Sequence, residues 1–165
     1  MKPALLVIDI QKQFFGIKPI MTQSLNDAIR IINMTIKLFR ARDLPIICIR
    51  HMSEEMNLMK GEEGFELPVE LDILPSDSHI SKTYRNAFTK TSLENELRDR
   101  RVDTVIVTGF VAEGCVLATY QGALDHDLTP IVLRGSLASD NLENIRFVEN
   151  ISDIISLGAL QAMLG

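Results

Sequence analysis

Tryptophan is absent and the other aromatics are few, two Tyr and seven Phe in 165 residues. A stacking platform for single-stranded nucleic acid is therefore not expected. Cysteine occurs only twice, as Cys48 and Cys115. That excludes the disulfide framework of a small secreted fold, and two reduced thiols fit a cytoplasmic setting. No run of like charges is present, and 17 basic against 22 acidic residues leave a net charge of −5. The basic footprint of a nucleic-acid binder is missing. No apolar stretch reaches membrane-spanning length. The first such run, after Met1-Lys2-Pro3, stops at Asp9, too short and too early for a secretory leader.

What is present is core-forming. Hydrophobic residues make up 46% of the chain and charged residues 24%, the balance of one globular domain spanning residues 1–165. Ala4-Leu5-Leu6-Val7-Ile8 is a continuous apolar run, the mark of a strand buried on both faces. Residues 25–39 change period: Leu25, Ala28, Ile29, Ile32, Ile36 and Phe39 form one helical stripe, with Ser24 as N-cap and Pro45 beyond its end. Ile46–Ile49 reads as a second strand. Residues 52–78 form a long irregular connection of the kind that closes over sites. Further strands are expected at 80–82, 102–108, 129–133 and 159–163. Helices are expected after the capping box Thr91-Ser92-Leu93-Glu94, at 114–126 and at 142–157, the last ended by Gly158. Strands alternating with helices imply parallel pairing through right-handed crossovers. The expected fold is a three-layer α/β/α sandwich around a mostly parallel, Rossmann-like sheet.

In such sheets ligands bind at the carboxyl ends of the strands. Asp9 ends the first strand, Lys82 ends a short one, and Cys115 opens the helix after residues 102–108. Cys48, between Ile47 and Ile49, reads as a small buried hydrophobe. Cys115 differs, because a thiol at a helix N-terminus meets free amides and the positive end of the dipole, which favour the thiolate. A carboxylate can take and return the thiol proton, and an ammonium can steady developing negative charge. Asp9, Lys82 and Cys115 thus make a self-consistent set for nucleophilic catalysis.

Three ordered segments carry a family resemblance over nearly the whole chain. "LLVIDIQKQFF" holds Asp9, Gln11 and Phe14; "HISKTYRNAFTKTSLENEL" holds Lys82, Ala87, Phe88, Thr91 and Leu93; "VIVTGFVAEGCVLATYQGALDHDL" holds Gly109, Cys115, Val116 and Thr119. Together they resemble the isochorismatase-like cysteine hydrolases, which include nicotinamidases, N-carbamoylsarcosine amidases and isochorismatases. The resemblance implies Asp9 as base, Lys82 as supporting cation and Cys115 as nucleophile. It also implies a non-proline cis peptide at Val111–Ala112 that aims the Ala112 and Cys115 amides at an oxyanion.

The resemblance implies a homo-oligomer acting on a small amide, and from the charge and hydropathy above no nucleic-acid or membrane partner is expected. Nicotinamidases of this kind bind a metal through an Asp-x-His that this chain replaces with Ile49-Arg50-His51. His51 and His79 without a carboxylate make a poor site for a hard ion, so no metal or other cofactor is expected. His51 then reads as a pocket-wall hydrogen-bonding residue. Gly114, next to the nucleophile as in carbamoylsarcosine amidases, leaves room beside the sulfur. Phe14, Arg50 and Arg85 are further candidates to contact substrate, the arginines through a carboxylate. The expected reaction is hydrolysis of a small amide or ureide of the N-carbamoylsarcosine type. Nicotinamide hydrolysis and isochorismatase chemistry are the alternatives. A non-catalytic module of receiver or flavodoxin type remains a third, although a receiver needs a second phosphate-accepting Asp and a late Lys.

Overall fold

The computed structural model describes all 165 residues. Six strands form one sheet: β1 (Pro3–Ile8), β2 (Ile46–His51), β3 (Ser78–Lys82), β4 (Thr104–Phe110), β5 (Thr129–Ala138) and β6 (Ile154–Ile155), in the order β3-β2-β1-β4-β5-β6. Every pairing is parallel. Five helices accompany them: α1 (Pro19–Arg40), α2 (Leu93–Asp99), α3 (Leu117–Asp125), α4 (Leu142–Ile151) and α5 (Leu157–Leu164).

The continuous apolar run of β1 is explained by burial on both faces. Ala4, Leu6 and Ile8 pack with residues of α2, α3 and α4, whereas Leu5 and Val7 pack with α1 and α5. Period-two alternation therefore divides one strand between two cores. Each fully buried aliphatic side chain in these layers contributes about 1.5–3 kcal/mol. The expected three-layer sandwich is present, with a sheet that is wholly parallel. No helix is long and apolar enough to cross a membrane.

Several boundaries differ from those read in the sequence. Helix α1 begins at Pro19, where a proline at the first helical position loses no hydrogen bond, and not after Ser24. Ser24 lies inside the helix, and its Oγ accepts the Ser139 N–H at 3.1 Å. The segment 159–163 is helix, not strand. Leu157, Leu160 and Leu164 recur at helical spacing, and Ser156 caps them by accepting the Ala159 N–H at 3.2 Å. The last strand is instead Ile154–Ile155, paired with Val132 and Leu133. Its entry is fixed by the Tyr120 hydroxyl, which accepts the Asp153 N–H at 2.9 Å, so α4 stops at Ile151. The connection from residue 52 to β3 holds one isolated antiparallel bridge, Ser53 with Leu58, and one short 3-10 turn, Glu63–Phe65. It is anchored by buried Leu58, Phe65 and Leu71.

Candidate active site

The strand order reverses between β1 and β4, and crevices at such reversals are where open parallel sheets bind ligands. Asp9 follows β1 directly, Cys115 lies in the turn after β4, and Lys82 ends β3. Asp9 leaves the sheet with φ +52°, a left-handed conformation that aspartate tolerates, while its N–H still donates to Ile49 O at 2.9 Å. Beside it Gly109, φ +121°, lets β4 approach β1 closely at the Ile8–Gly109 pair.

The three side chains converge. Lys82 Nζ is 3.0 Å from Asp9 Oδ2 and 3.2 Å from Cys115 Sγ. It is also 3.0 Å from the Tyr84 carbonyl oxygen and 3.0 Å from His51 Nδ1. Asp9 and Lys82 are buried, and Cys115 is partly exposed. An ammonium has three N–H groups to share among these four acceptors. The three donors are therefore shared among Asp9, Tyr84, His51 and the Cys115 sulfur, all within 3.2 Å. Asp9 Oδ1 is buried with no hydrogen-bond partner.

Electrostatics favour a protonated thiol, which corrects the thiolate expected from the helix position. The Cys115 thiol is pushed up to about 12, first by burial and then by the Asp9 charge, against the opposing pull of Lys82. The local dipole argument sees only the turn, whereas burial and a carboxylate from another strand decide the outcome. Burial also holds Asp9 above the usual carboxylate range, despite Lys82. A more basic carboxylate beside a neutral thiol suits proton transfer coupled to attack. His51 is lowered, by burial and then by the Lys82 charge.

Cys115 sits in a π-type turn, Ala112–Val116, leading into α3. The Val111 carbonyl accepts N–H groups from Gly114 at 3.0 Å and Val116 at 3.3 Å. These two bonds bracket Cys115 without using its own amide. The cis peptide is at Phe110–Val111, not at Val111–Ala112. Strand β4 stays paired as far as Phe110, opposite Ala138, so the chain changes course at the bond where that pairing ends. Gly114 does not open space beside the sulfur. A Cβ there would lie 2.7 Å from Val111 Cγ1, so Val111 already fills the gap.

The remaining predicted residues divide. His51 joins the cluster through Lys82. Phe14 is buried against Phe110, ring centroids 4.6 Å apart, and belongs to the core layer under the site. Arg50 points away from the cluster, because alternation puts it on the opposite face of β2 from His51. Its guanidinium lies over Phe65, 4.5 Å from the ring centroid, with Glu66 at 3.6 Å. Arg85 is exposed and forms no ion pair. His79 pairs in register with Cys48, whereas His51 pairs with Lys82. The two histidines therefore fall on opposite faces and cannot share an ion.

Asp9, His51 and Cys115 do offer ligand atoms within 4.8 Å of one another. The Lys82 ammonium contacts all three, however, so a metal would have to displace a buried cation paired with Asp9. The residues do not fit a resident metal.

Sequence reasoning missed the residues that hold this cluster in place. Buried Gln11 accepts the His51 N–H at 2.9 Å and donates to the His51 carbonyl at 3.0 Å and the Phe65 carbonyl at 3.2 Å. Its place in the Asp-x-Gln segment was the available signal. Thr119 on α3 accepts the Ala87 N–H at 3.0 Å, tying the segment after Lys82 to the nucleophile helix. Glu113, beside the nucleophile, accepts from Ser139 Oγ at 2.9 Å and Asn144 Nδ2 at 2.8 Å.

Known proteins share this fold. The isochorismatase domain profile matches residues 3–148. The isochorismatase family protein YddQ of Bacillus subtilis is 26% identical over 147 residues, 87% of this chain and 81% of that protein. An N-carbamoylsarcosine amidase from an Arthrobacter species is 28% identical over 117 residues, 59% of this chain and 44% of its own length. The crystal structure of an isochorismatase-like hydrolase from Alkaliphilus metalliredigens superposes with a TM-score of 0.90 at 24% identity, covering 100% of both chains.

Proposed function

The chain belongs to the isochorismatase family of hydrolases, and on that premise we propose that it is a cysteine amidase acting on a small amide or ureide that carries a carboxylate, of the N-carbamoylsarcosine type. The observation that carries this reading is the convergence of Asp9, Lys82 and Cys115 on one buried ammonium.

Each residue has a step. Asp9 Oδ1 accepts the thiol proton as Cys115 Sγ attacks the scissile carbonyl. The Lys82 N–H that already contacts the sulfur at 3.2 Å strengthens its hydrogen bond as negative charge develops there, which offsets the burial that keeps the thiol protonated. The carbonyl oxygen gathers charge near the Cys115 amide. Collapse expels the amine, which takes the proton back from Asp9 and leaves a thioester on Cys115. Asp9 then removes a proton from water, the hydroxyl adds to the thioester carbon, and Cys115 leaves with the proton returned.

Two observations favour a carboxylated amide over nicotinamide. The position of the acidic ligand that a ring-binding metal would need is Ile49, buried in the core. The relative named as N-carbamoylsarcosine amidase supports the same class. Gly114 and Arg50 no longer contribute to that argument. Arg85 remains available, one residue from the Tyr84 carbonyl that holds Lys82.

Ammonia release from N-carbamoylsarcosine, nicotinamide and N,N-dimethylurea tests the proposal, with Cys115→Ser as control. The expected result is a higher kcat/KM for N-carbamoylsarcosine, lost in the variant. A preference for nicotinamide, or equal rates with the uncharged urea, overturns the substrate class. Undiminished turnover by Cys115→Ser overturns the cysteine mechanism.

A further inference from the structure

His51 is built into place more firmly than a pocket wall requires. Gln11, fully buried, spends both ends of its amide on the His51 backbone. Register sets His51 beside Lys82 at the ends of β2 and β3. Its Nδ1 then lies 3.0 Å from the Lys82 Nζ. An ammonium only donates, so Nδ1 is the acceptor. The ring is neutral and its proton sits on Nε2. The charged and titratable groups around the ring are Lys82 from β3, Asp9 after β1 and Cys115 after β4. Lys82 opposes a second ring proton directly. Nε2 has no partner in the protein, and the ring is only half-buried. The fold thus fixes an open N–H donor next to the nucleophile: Nδ1 and Cys115 Sγ share the Lys82 Nζ as a common neighbour, at 3.0 and 3.2 Å.

We propose that His51 is a specificity-determining residue whose Nε2–H, oriented by the Nδ1 contact with Lys82 and the Gln11 clamp, donates to the substrate carboxylate a few bonds from the scissile carbonyl. This rests on the amidase reading and deepens it. A donor with no acceptor capacity favours a carboxylate or carbonyl oxygen and disfavours an amine at the same place. A histidine can play this part without a metal, since Lys82 takes over the task of fixing the tautomer.

Two substitutions separate the functions of the ring. In His51→Asn the side-chain oxygen can still accept from Lys82, but no donor reaches the Nε2 position. In His51→Gln the amide nitrogen approaches that position. The expected result is that His51→Asn lowers kcat/KM for N-carbamoylsarcosine by about ten- to a hundredfold, the range of one charged hydrogen bond. Turnover of uncharged N,N-dimethylurea is expected to fall clearly less than that of N-carbamoylsarcosine, and His51→Gln to recover part of the loss. Equal losses on both ureas overturn the proposal, because they would make His51 only a support for Lys82. Undiminished activity of His51→Asn overturns it as well.

A readout independent of turnover uses protein labelled with 15N-histidine. The wild type is expected to show His51 as the Nε2–H tautomer at neutral pH. Titrating N-carbamoylsarcosine into Cys115→Ala is expected to shift that resonance. An Nδ1–H tautomer, or a His51 signal unmoved at millimolar ligand, overturns the proposal. A protein that hydrolyses no amide but shows the tautomer and the shift overturns the amidase reading alone.

Discussion

A Cβ placed on Gly109 would fall 2.1 Å from the carbonyl oxygen of Ile8. No rotamer change relieves that overlap, since both groups are backbone, and the φ of +121° is one that side chains other than glycine's hydrogen rarely allow. Asp9 follows Ile8, so the same contact sets where the base leaves the sheet. Gly109→Ala is expected to cost about 2–4 kcal/mol in urea denaturation and to reduce activity further by displacing Asp9. Gly114→Ala, whose added Cβ meets only the side chain of Val111, is expected to cost less. Equal losses would contradict this reading.

Cys115→Ala is expected to remove turnover by several orders of magnitude while leaving the circular dichroism spectrum unchanged. Asp9→Asn is expected to be equally inactive, and the double variant no worse than either single one. Asp9→Asn also leaves Lys82 buried without its carboxylate, a loss of about 3–5 kcal/mol, measurable by the same denaturation experiment.

Alkylation and turnover are expected to move in opposite directions in that variant. The Asp9 charge helps to hold the Cys115 thiol up at about 12. Neutralising it lets Lys82 act unopposed, so the thiol pKa falls and more thiolate is present at neutral pH. Iodoacetamide should then modify Cys115 of Asp9→Asn about tenfold faster or more, the effect of a nearby charge on a thiol. An unchanged or slower rate would show that Asp9 does not govern the sulfur.

The pH profile follows from Asp9 as base. Its carboxyl lies above the ordinary range because burial disfavours the charge, and only the ionised form can accept the thiol proton. As pH falls through that raised value, kcat/KM is expected to fall with it. The acid limb should therefore lie above the ordinary carboxylate value of about 4. A flat profile down to that pH would remove Asp9 from the role.

Exhaustive dialysis against a chelator is expected to leave turnover of N-carbamoylsarcosine unchanged, because the Lys82 ammonium fills the centre of the only Asp-His-Cys cluster. Inactivation reversed by zinc or manganese would overturn this.

Much of this architecture was legible from local pattern. The run Ala4–Ile8 announced a strand buried on both sides, and the stripe from Leu25 to Phe39 announced α1. Asp9 could be placed where the first apolar run stops, Lys82 at the end of a short strand, and Cys115 at the start of the helix after residues 102–108. What failed was what depends on neighbours distant in sequence. Leu157, Leu160 and Leu164 are equally consistent with a short apolar strand until Ser156 is seen to cap them. Arg50 and His51 are adjacent letters, yet pleating sends one to Phe65 and Glu66 and the other to Lys82. The protonated state of Cys115 is set by burial and by Asp9, more than a hundred residues away. Gln11 shows its purpose only once His51, 40 residues further on, is beside it.

The buried pairing of Lys82 with Asp9 also governs how a substrate arrives. With the thiol protonated, the two charges cancel and the resting site presents almost no net field to solution. Long-range guidance is left to the remainder of the surface, on a chain with a net charge of −5. A carboxylated ureide, if it is the substrate as proposed, is expected to reach the sulfur by unassisted diffusion, slightly against the overall potential. Raising the ionic strength should leave its encounter rate nearly constant or increase it a little, the reverse of the salt sensitivity shown by electrostatically steered enzymes.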